Sequence, residues 1–449
     1  MNSAATPLVP VRTRWTVVAM LMGFTFLGHF NRVGMSVVGN ERLIKTEVLA
    51  SGQVHAASSG TEQVGVFTKQ QMGVVYSSFL LIYTICMLPG GWFIDRVGPA
   101  AALRWMALGF GVCGILTGLL GRAGLAPAAL LSALIVLRGI TGATSVPLHP
   151  GCARGVALWS SPATRTTANG LVTCGALIGV ALSYPLFGLL IDRFQWQTAC
   201  IISGGALFAF GLLWQVVAPT DGSGLATGDI EPLTLESAPA LSPTPPRSGN
   251  LWTLLGNRSL LLLTASYAAV GYFQYLFFYW MQRYFDESLK LPEQESRAAA
   301  FTVTIAMAVG MGIGGFWSDW LCRRFGNRWG RRLSALVGMG LSAAFALIGI
   351  NQTDPEAVVA LFALALGALG LCEGIFWTAS TEVGGRAGGF ASAVLNTGGN
   401  AGGMLAPVVT PWLADKFGWG IAIGVACGIC ALGGSLWLGI DPSSGGDDA

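Results

Sequence analysis

Arg32 sits where a charge is hard to keep. It belongs to "GHFNRVGMSV", Gly28 to Val37, inside a run otherwise made of Trp, Val, Met, Leu and Phe, and His29 and Asn31 accompany it. A guanidinium at bilayer depth costs roughly 3 kcal/mol even on insertion scales, and such residues usually face a water-filled path. Arg138, in "VLRGITGATSVPLHPG", is the other basic side chain read at mid-membrane. Two guanidiniums converging on one cavity would clamp a carboxylate by paired N–H bonds, a geometry arginine offers and lysine does not. Either could instead bond helix carbonyls, and the position of Arg138 would equally suit a buried network.

Other residues could move protons or hold hydroxyls. Glu373, in "LGLCEGIFWTAS", is the acidic residue found well inside an apolar segment, where a carboxyl could load and release a coupling proton or form a buried bridge to an arginine. His149 lies between Pro147 and Pro150, where a helix must break and an imidazole could join a relay or cap the kink. His29, one turn before Arg32, could line the same cavity or merely pack. In "YAAVGYFQYLFFYWMQRYF", Tyr275 and Tyr279 could offer hydroxyls and ring faces to a polyhydroxylated ligand. Asn396 and Asn400, in a Gly-rich segment, could bond sugar hydroxyls or a neighbouring helix.

These residues need spans to position them. The 449 residues are 53% hydrophobic and 10% charged, with a mean hydropathy of +0.61, against about a quarter charged in a soluble domain. On a rule of about 20 apolar residues per span, twelve segments qualify: 15–39, 70–94, 100–121, 127–156, 165–190, 196–219, 258–285, 297–320, 332–351, 356–382, 389–415 and 419–440. The expected fold is an all-α membrane protein with twelve transmembrane helices in two pseudo-symmetric six-helix bundles, 1–219 and 258–440. They are joined by a Pro/Ser/Gly-rich flexible linker at 220–257 and followed by a tail at 441–449. Residues 40–69 read as a long outer loop. Most arginines fall on one side of this scheme, which makes both termini and the linker cytoplasmic.

The chain repeats itself. "PGGWFIDRVG" recurs as "IGGFWSDWLCRRFG", and "GALIGVALSYPLFGLLIDRFQW" faces "GGNAGGMLAPVVTPWLADKFGW", pairing Asp95 with Asp319 and Asp192 with Asp415. Duplicated halves are the layout of transporters that rock one half against the other around a midplane site. Asp95, Arg96 and Asp319 sit at helix ends, where an Asp95–Arg96 ion pair could latch a gate; Arg328, Arg331 and Arg332 read as ordinary loop charges.

With these motifs the chain resembles the major facilitator superfamily, whose signature loop is Gly-Gly-x-x-x-Asp-Arg-x-Gly. "MGVVYSSFLLIYTICMLPGGWFIDRVG" and "FNRVGMSVVG" are similar to its anion:cation symporter branch, which includes bacterial sugar-acid and hexuronate transporters and sialin. The resemblance implies that an Asp-Arg pair falls on Asn31 and Arg32, an arginine on Arg138, a glutamate on Ser145, a substrate-contacting tyrosine on Tyr83 and an asparagine on Asn396. Both carboxylates that carry protons in relatives are therefore replaced here.

Enzyme signals are poor. "GFGVCG" at 109–114 lies mid-span with no strand before it, and no GxxxxGK[ST] occurs. Cys427 and Cys430 form a CxxC within an apolar segment, where packing explains the small residues, and the three histidines show no metal spacing. No cofactor, metal or nucleic-acid partner is expected, and a monomer is the simpler state. The expected function is secondary transport of a small organic anion, a sugar acid or related carboxylate, across the inner membrane by alternating access with proton coupling. Its contacts would be Arg32, Arg138, Tyr83, Asn31, Asn396, Asn400, Tyr275 and Tyr279, with Glu373 and His149 as coupling candidates. The alternatives are an uncoupled anion exchanger or facilitator and a non-transporting sensor of the same fold.

Overall fold

Apolar runs broken only by glycine, proline and short polar turns leave the backbone one way to satisfy its hydrogen bonds in lipid, within helices. A computed structural model describes residues 11–44, 66–218 and 251–441, and nearly all of them are helical. The N-terminal helices are α1 (Val11–Val38), α2 (Lys69–Ile85), α3 (Met87–Val97), α4 (Pro99–Arg122), α5 (Pro127–Ser145), α6 (Leu148–Trp159) and α7 (Arg165–Val217). The C-terminal ones are α8 (Leu251–Leu254), α9 (Arg258–Glu287), α10 (Glu293–Gly349), α11 (Pro355–Gly370), α12 (Glu373–Gly384), α13 (Gly388–Phe417) and α14 (Trp419–Ser435). By length and composition, seven helices among the described residues could cross a membrane, or eight if the α2–α3 pair, bent by 53°, is one span. Most of the linker and the tail lie outside the described residues, but the end of the expected linker folds as the turn α8. Much of the expected outer loop is outside them too; its rims meet in a parallel bridge between Ile44 and Phe67.

The buried apolar side chains gather in several cores. Residues such as Leu21, Phe24, Phe110 and Trp214 form one core among the N-terminal helices, and Phe273, Phe285, Phe362 and Phe376 belong to another among the C-terminal helices. The breaks are local and have causes. Pro147 separates α5 from α6, next to His149. One backbone kink recurs at Gly98, Gln195, Gly326 and Gly418, with φ of 83°, 66°, 78° and 87° and ψ between 152° and 159°. The kink divides α7 and α10 into two segments each. Gln195 stands in a conformation that is essentially glycine's own and costs about 1–3 kcal/mol elsewhere. Gln195→Gly should therefore raise the unfolding midpoint in detergent by about one degree, from a net gain of about 1 kcal/mol; a lower midpoint would show that the side chain contributes more than the strain costs.

Candidate functional site

The two repeated Gly-Gly-x-x-x-Asp segments hold the N- and C-terminal helices together at one end. Gly91 lets α3 approach α13 so closely that a Cβ would lie 2.8 Å from the Phe390 Cα, and Gly315 does the same on α10, 2.5 Å from the Thr167 Cα. One turn later an aspartate caps the facing helix. The Asp95 carboxylate accepts the backbone N–H groups of Gly389 and Phe390, both at 2.8 Å, in the first turn of α13. Asp319 accepts the N–H and hydroxyl of Thr167 at 2.8 and 2.6 Å, in the first turn of α7. Anionic groups belong at such ends, where free N–H groups and the helix dipole point outward.

The ion pair at this end differs from the one expected. Asp95 pairs with Arg154 on α6, 3.5 Å away, and Arg154 also donates to the carbonyls of Gly385 and Arg386. Arg96 instead lies over the Trp92 ring. A side chain one residue further along a helix points about 100° away, so adjacency in sequence does not make a pair. Arg331 and Arg332 are not loop charges either. Both are buried, Arg331 in a bidentate pair with Glu382 (Nη2 to Oε1 2.6 Å) and Arg332 on the carbonyl of Ile440. Arg154, Thr167 and Glu382 were missed; the only signal in the sequence was their place near the ends of spans.

Mid-depth polar groups meet between α1, α2, α9 and α13. The half-buried Arg32 guanidinium stands over Phe79 and Tyr83, 5.0 and 5.6 Å from the ring centroids. The Tyr83 hydroxyl accepts from the Asn396 amide across the two helix groups, at 2.8 Å, and Asn400 donates to the Asn396 carbonyl. Tyr275 is half-buried beside Tyr279, which is 56% exposed; their ring centroids lie 5.8 Å apart. Among the described residues Arg32 has no hydrogen bond or carboxylate partner, so a cation near the middle of an apolar assembly keeps its N–H groups free.

Arg138 and Asn31 are placed otherwise. Arg138 is buried within the N-terminal helices, its Cζ 4.8 Å from the Phe79 centroid and its Nε without a partner. Asn31 turns to the same interior, donating to the carbonyls of Leu27 and Ser203. Both line a cavity of about 20 Å³, room for roughly one water. Phe79 thus stands against both guanidiniums, and the double clamp on one carboxylate is not what this arrangement presents.

A second array runs across the interface. Glu373, on α12, accepts the Tyr267 hydroxyl at 2.5 Å and the Trp377 indole N–H at 3.1 Å, and its other oxygen is buried without a partner. No arginine reaches it among the described residues. His149 stacks on Trp377 with centroids 5.3 Å apart and meets His29, Nε2 to Nε2, at 3.4 Å.

Known proteins resemble the chain along most of its length. The pattern of the Major Facilitator Superfamily matches residues 13–388 and 324–448. The D-galactonate transporter of Escherichia coli O6:H1 is 28% identical over 395 residues, covering 84% of this chain and 88% of the relative. The probable sulfoacetate transporter of Cupriavidus necator is 25% identical over 91% of this chain and 89% of its own. The probable galactarate/D-glucarate transporter of Escherichia coli K12 is 25% identical over 86% and 85%. Among solved structures, the E. coli fucose:proton symporter superposes with a TM-score of 0.66 at 15% identity, covering 95% of this chain and 99% of that one. A proton:xylose symporter gives 0.66 at 12% identity, covering 94% and 95%. At such identities the likeness is one of fold.

Proposed function

The chain belongs to the Major Facilitator Superfamily, a family of integral membrane transporters and not enzymes, and on that premise we propose that it moves a small organic anion by alternating access, with sugar acids preferred. Counting each kinked helix as two spans and each broken pair as one gives twelve spans. They form two six-helix halves at 1–219 and 258–440, in an inner membrane with both termini cytoplasmic. The single observation that carries the anion is Arg32, a half-buried guanidinium with free N–H groups among hydroxyls and amides. Its fork would take the carboxylate, and Tyr83, Asn396, Asn400, Tyr275 and Tyr279 would take the hydroxyls. Arg138 supports the Phe79 wall and adds positive field, and Asn31 fixes α1 against α7. That relatives are named for galactonate and for galactarate/D-glucarate supports the same substrate class.

The end where Asp95 and Asp319 cap helices across the interface is the closed gate in this reading, and Glu373 and His149 are the groups available to carry a coupling proton. The test is uptake of labelled galactonate, galacturonate and glucuronate into proteoliposomes with and without an inward proton gradient. Accumulation of at least one, driven by the gradient, is expected. Gradient-independent exchange would leave an uncoupled exchanger, and binding without flux of any of them would leave a sensor.

A further inference from the structure

The two histidines are chemically unequal, and their inequality defines a site. The Nδ1 of His29 lies 3.0 Å from the carbonyl of Thr25, one turn back on α1. A carbonyl only accepts, so that nitrogen carries a hydrogen, and the neutral ring has Nε2 as a lone-pair acceptor. Facing it at 3.4 Å is the Nε2 of His149, which must then carry the hydrogen between them. That leaves the Nδ1 of His149 as a bare acceptor, with no partner among the described residues. His149 is half-buried, so its ring is not fully enclosed by protein.

We propose that His29 and His149 form a single proton-binding site, loaded at the Nδ1 of His149, whose occupancy is coupled to anion binding at Arg32. The inference rests on the transport reading above and names the group that would couple it. No bond other than N–H changes: a proton from the aqueous phase turns the His149 imidazole into an imidazolium that still donates to His29. The Trp377 indole then lies parallel to that cation, with an interplanar angle of 18°, in the geometry of a cation–π contact. Trp377 belongs to α12, so the proton also strengthens a contact between the two halves.

Coupling comes from the charges around the pair. Arg32 lies one turn beyond His29 on the same helix, and His29 touches His149, so a positive charge on Arg32 bears on the pair. Glu373 on α12 approaches through Trp377, and Tyr267 on α9 through Glu373. The helices packed around the pair add the thiols Cys113 of α4, Cys152 of α6 and Cys174 and Cys200 of α7, with Tyr184 of α7, and α3 adds Asp95 in its last turn, tied to Arg154. An unoccupied Arg32 therefore opposes a second positive charge next to it. A bound carboxylate cancels that opposition, and by linkage a proton on the pair favours the carboxylate by the same factor. One neutralises what the other would leave uncompensated, so anion and proton travel together.

The test is calorimetric titration of D-galactonate into the full-length protein in two buffers of different ionisation enthalpy, which counts protons taken up per anion bound. The wild type should take up close to one, and its affinity should rise about tenfold per pH unit as pH falls towards loading of the empty site. His149→Gln, which keeps a donor towards His29 and cannot be charged, should take up none per anion bound and lose the pH slope. His29→Asn, which keeps the donor to Thr25, should shift the slope without removing it. Undiminished proton uptake in His149→Gln, or loss of uptake in Glu373→Gln alone, would overturn the proposal and move the proton elsewhere. No binding of galactonate, galacturonate or glucuronate by the wild type would overturn the transport reading and this inference with it.

Discussion

Arg32→Ala should reduce galactonate uptake at least a hundredfold. Removing one member of a buried charge pair leaves the other uncompensated, at about 3–5 kcal/mol, and every 1.4 kcal/mol is about tenfold in affinity. The loss should fall mainly on substrates that carry a carboxylate. Arg32→Lys keeps the charge but not the two-pronged N–H geometry, so it should retain part of the activity, roughly a tenth. Initial rates in proteoliposomes at equal protein density read both. An Arg32→Ala protein that kept a third or more of wild-type uptake would remove the guanidinium from the substrate site and leave it a structural contact with Phe79 and Tyr83.

Asp95→Ala should open the end where the two halves are clasped. In the closed arrangement that carboxylate receives two backbone N–H groups and faces Arg154. Hydrogen bonds to a charged group contribute about 1.5–3 kcal/mol each, so losing both should shift the balance between closed and open forms by about 3–6 kcal/mol. That is about 100- to 20,000-fold in population, enough to make the open form dominant if it is the minor one now. Spin labels replacing the exposed Arg96 and Arg386, in a background depleted of native cysteines, would report the gap by pulsed dipolar distances. A longer distance population is expected in Asp95→Ala, and a larger one when Asp319→Ala is added. An unchanged distance distribution in the double variant would show that packing around Gly91 and Gly315 closes this end without the carboxylates.

Much of this arrangement could be read from the chain because membrane helices carry strong signals. Apolar length and the recurring Gly-Gly-x-x-x-Asp depend on local composition, and the structure has helices over the first and interhelical caps at the second. Tyr83 and Asn396, related only by resemblance, meet directly at 2.8 Å. What could not be read depends on rotation about helix axes. Asn31 and Arg32 are neighbours in sequence yet face different spaces, one towards Ser203 inside the N-terminal helices and the other towards Tyr83. The same rotation gives Asp95 to Arg154 and sends Arg96 to Trp92. Distance along the chain hid the rest: nothing in the residues around His29 announces His149, and nothing around Arg331 announces Glu382.

Counterflow exchange in proteoliposomes tests the central claim most directly, because it needs binding and alternating access but no driving gradient. Vesicles preloaded with D-galactonate should draw in labelled D-galactonate saturably, and galacturonate should compete with it. Neutral galactose, which offers hydroxyls without a carboxylate, should neither exchange nor compete. Exchange of galactose at a rate comparable to galactonate would contradict the account, since it would mean that the free guanidinium of Arg32 does not choose the substrate.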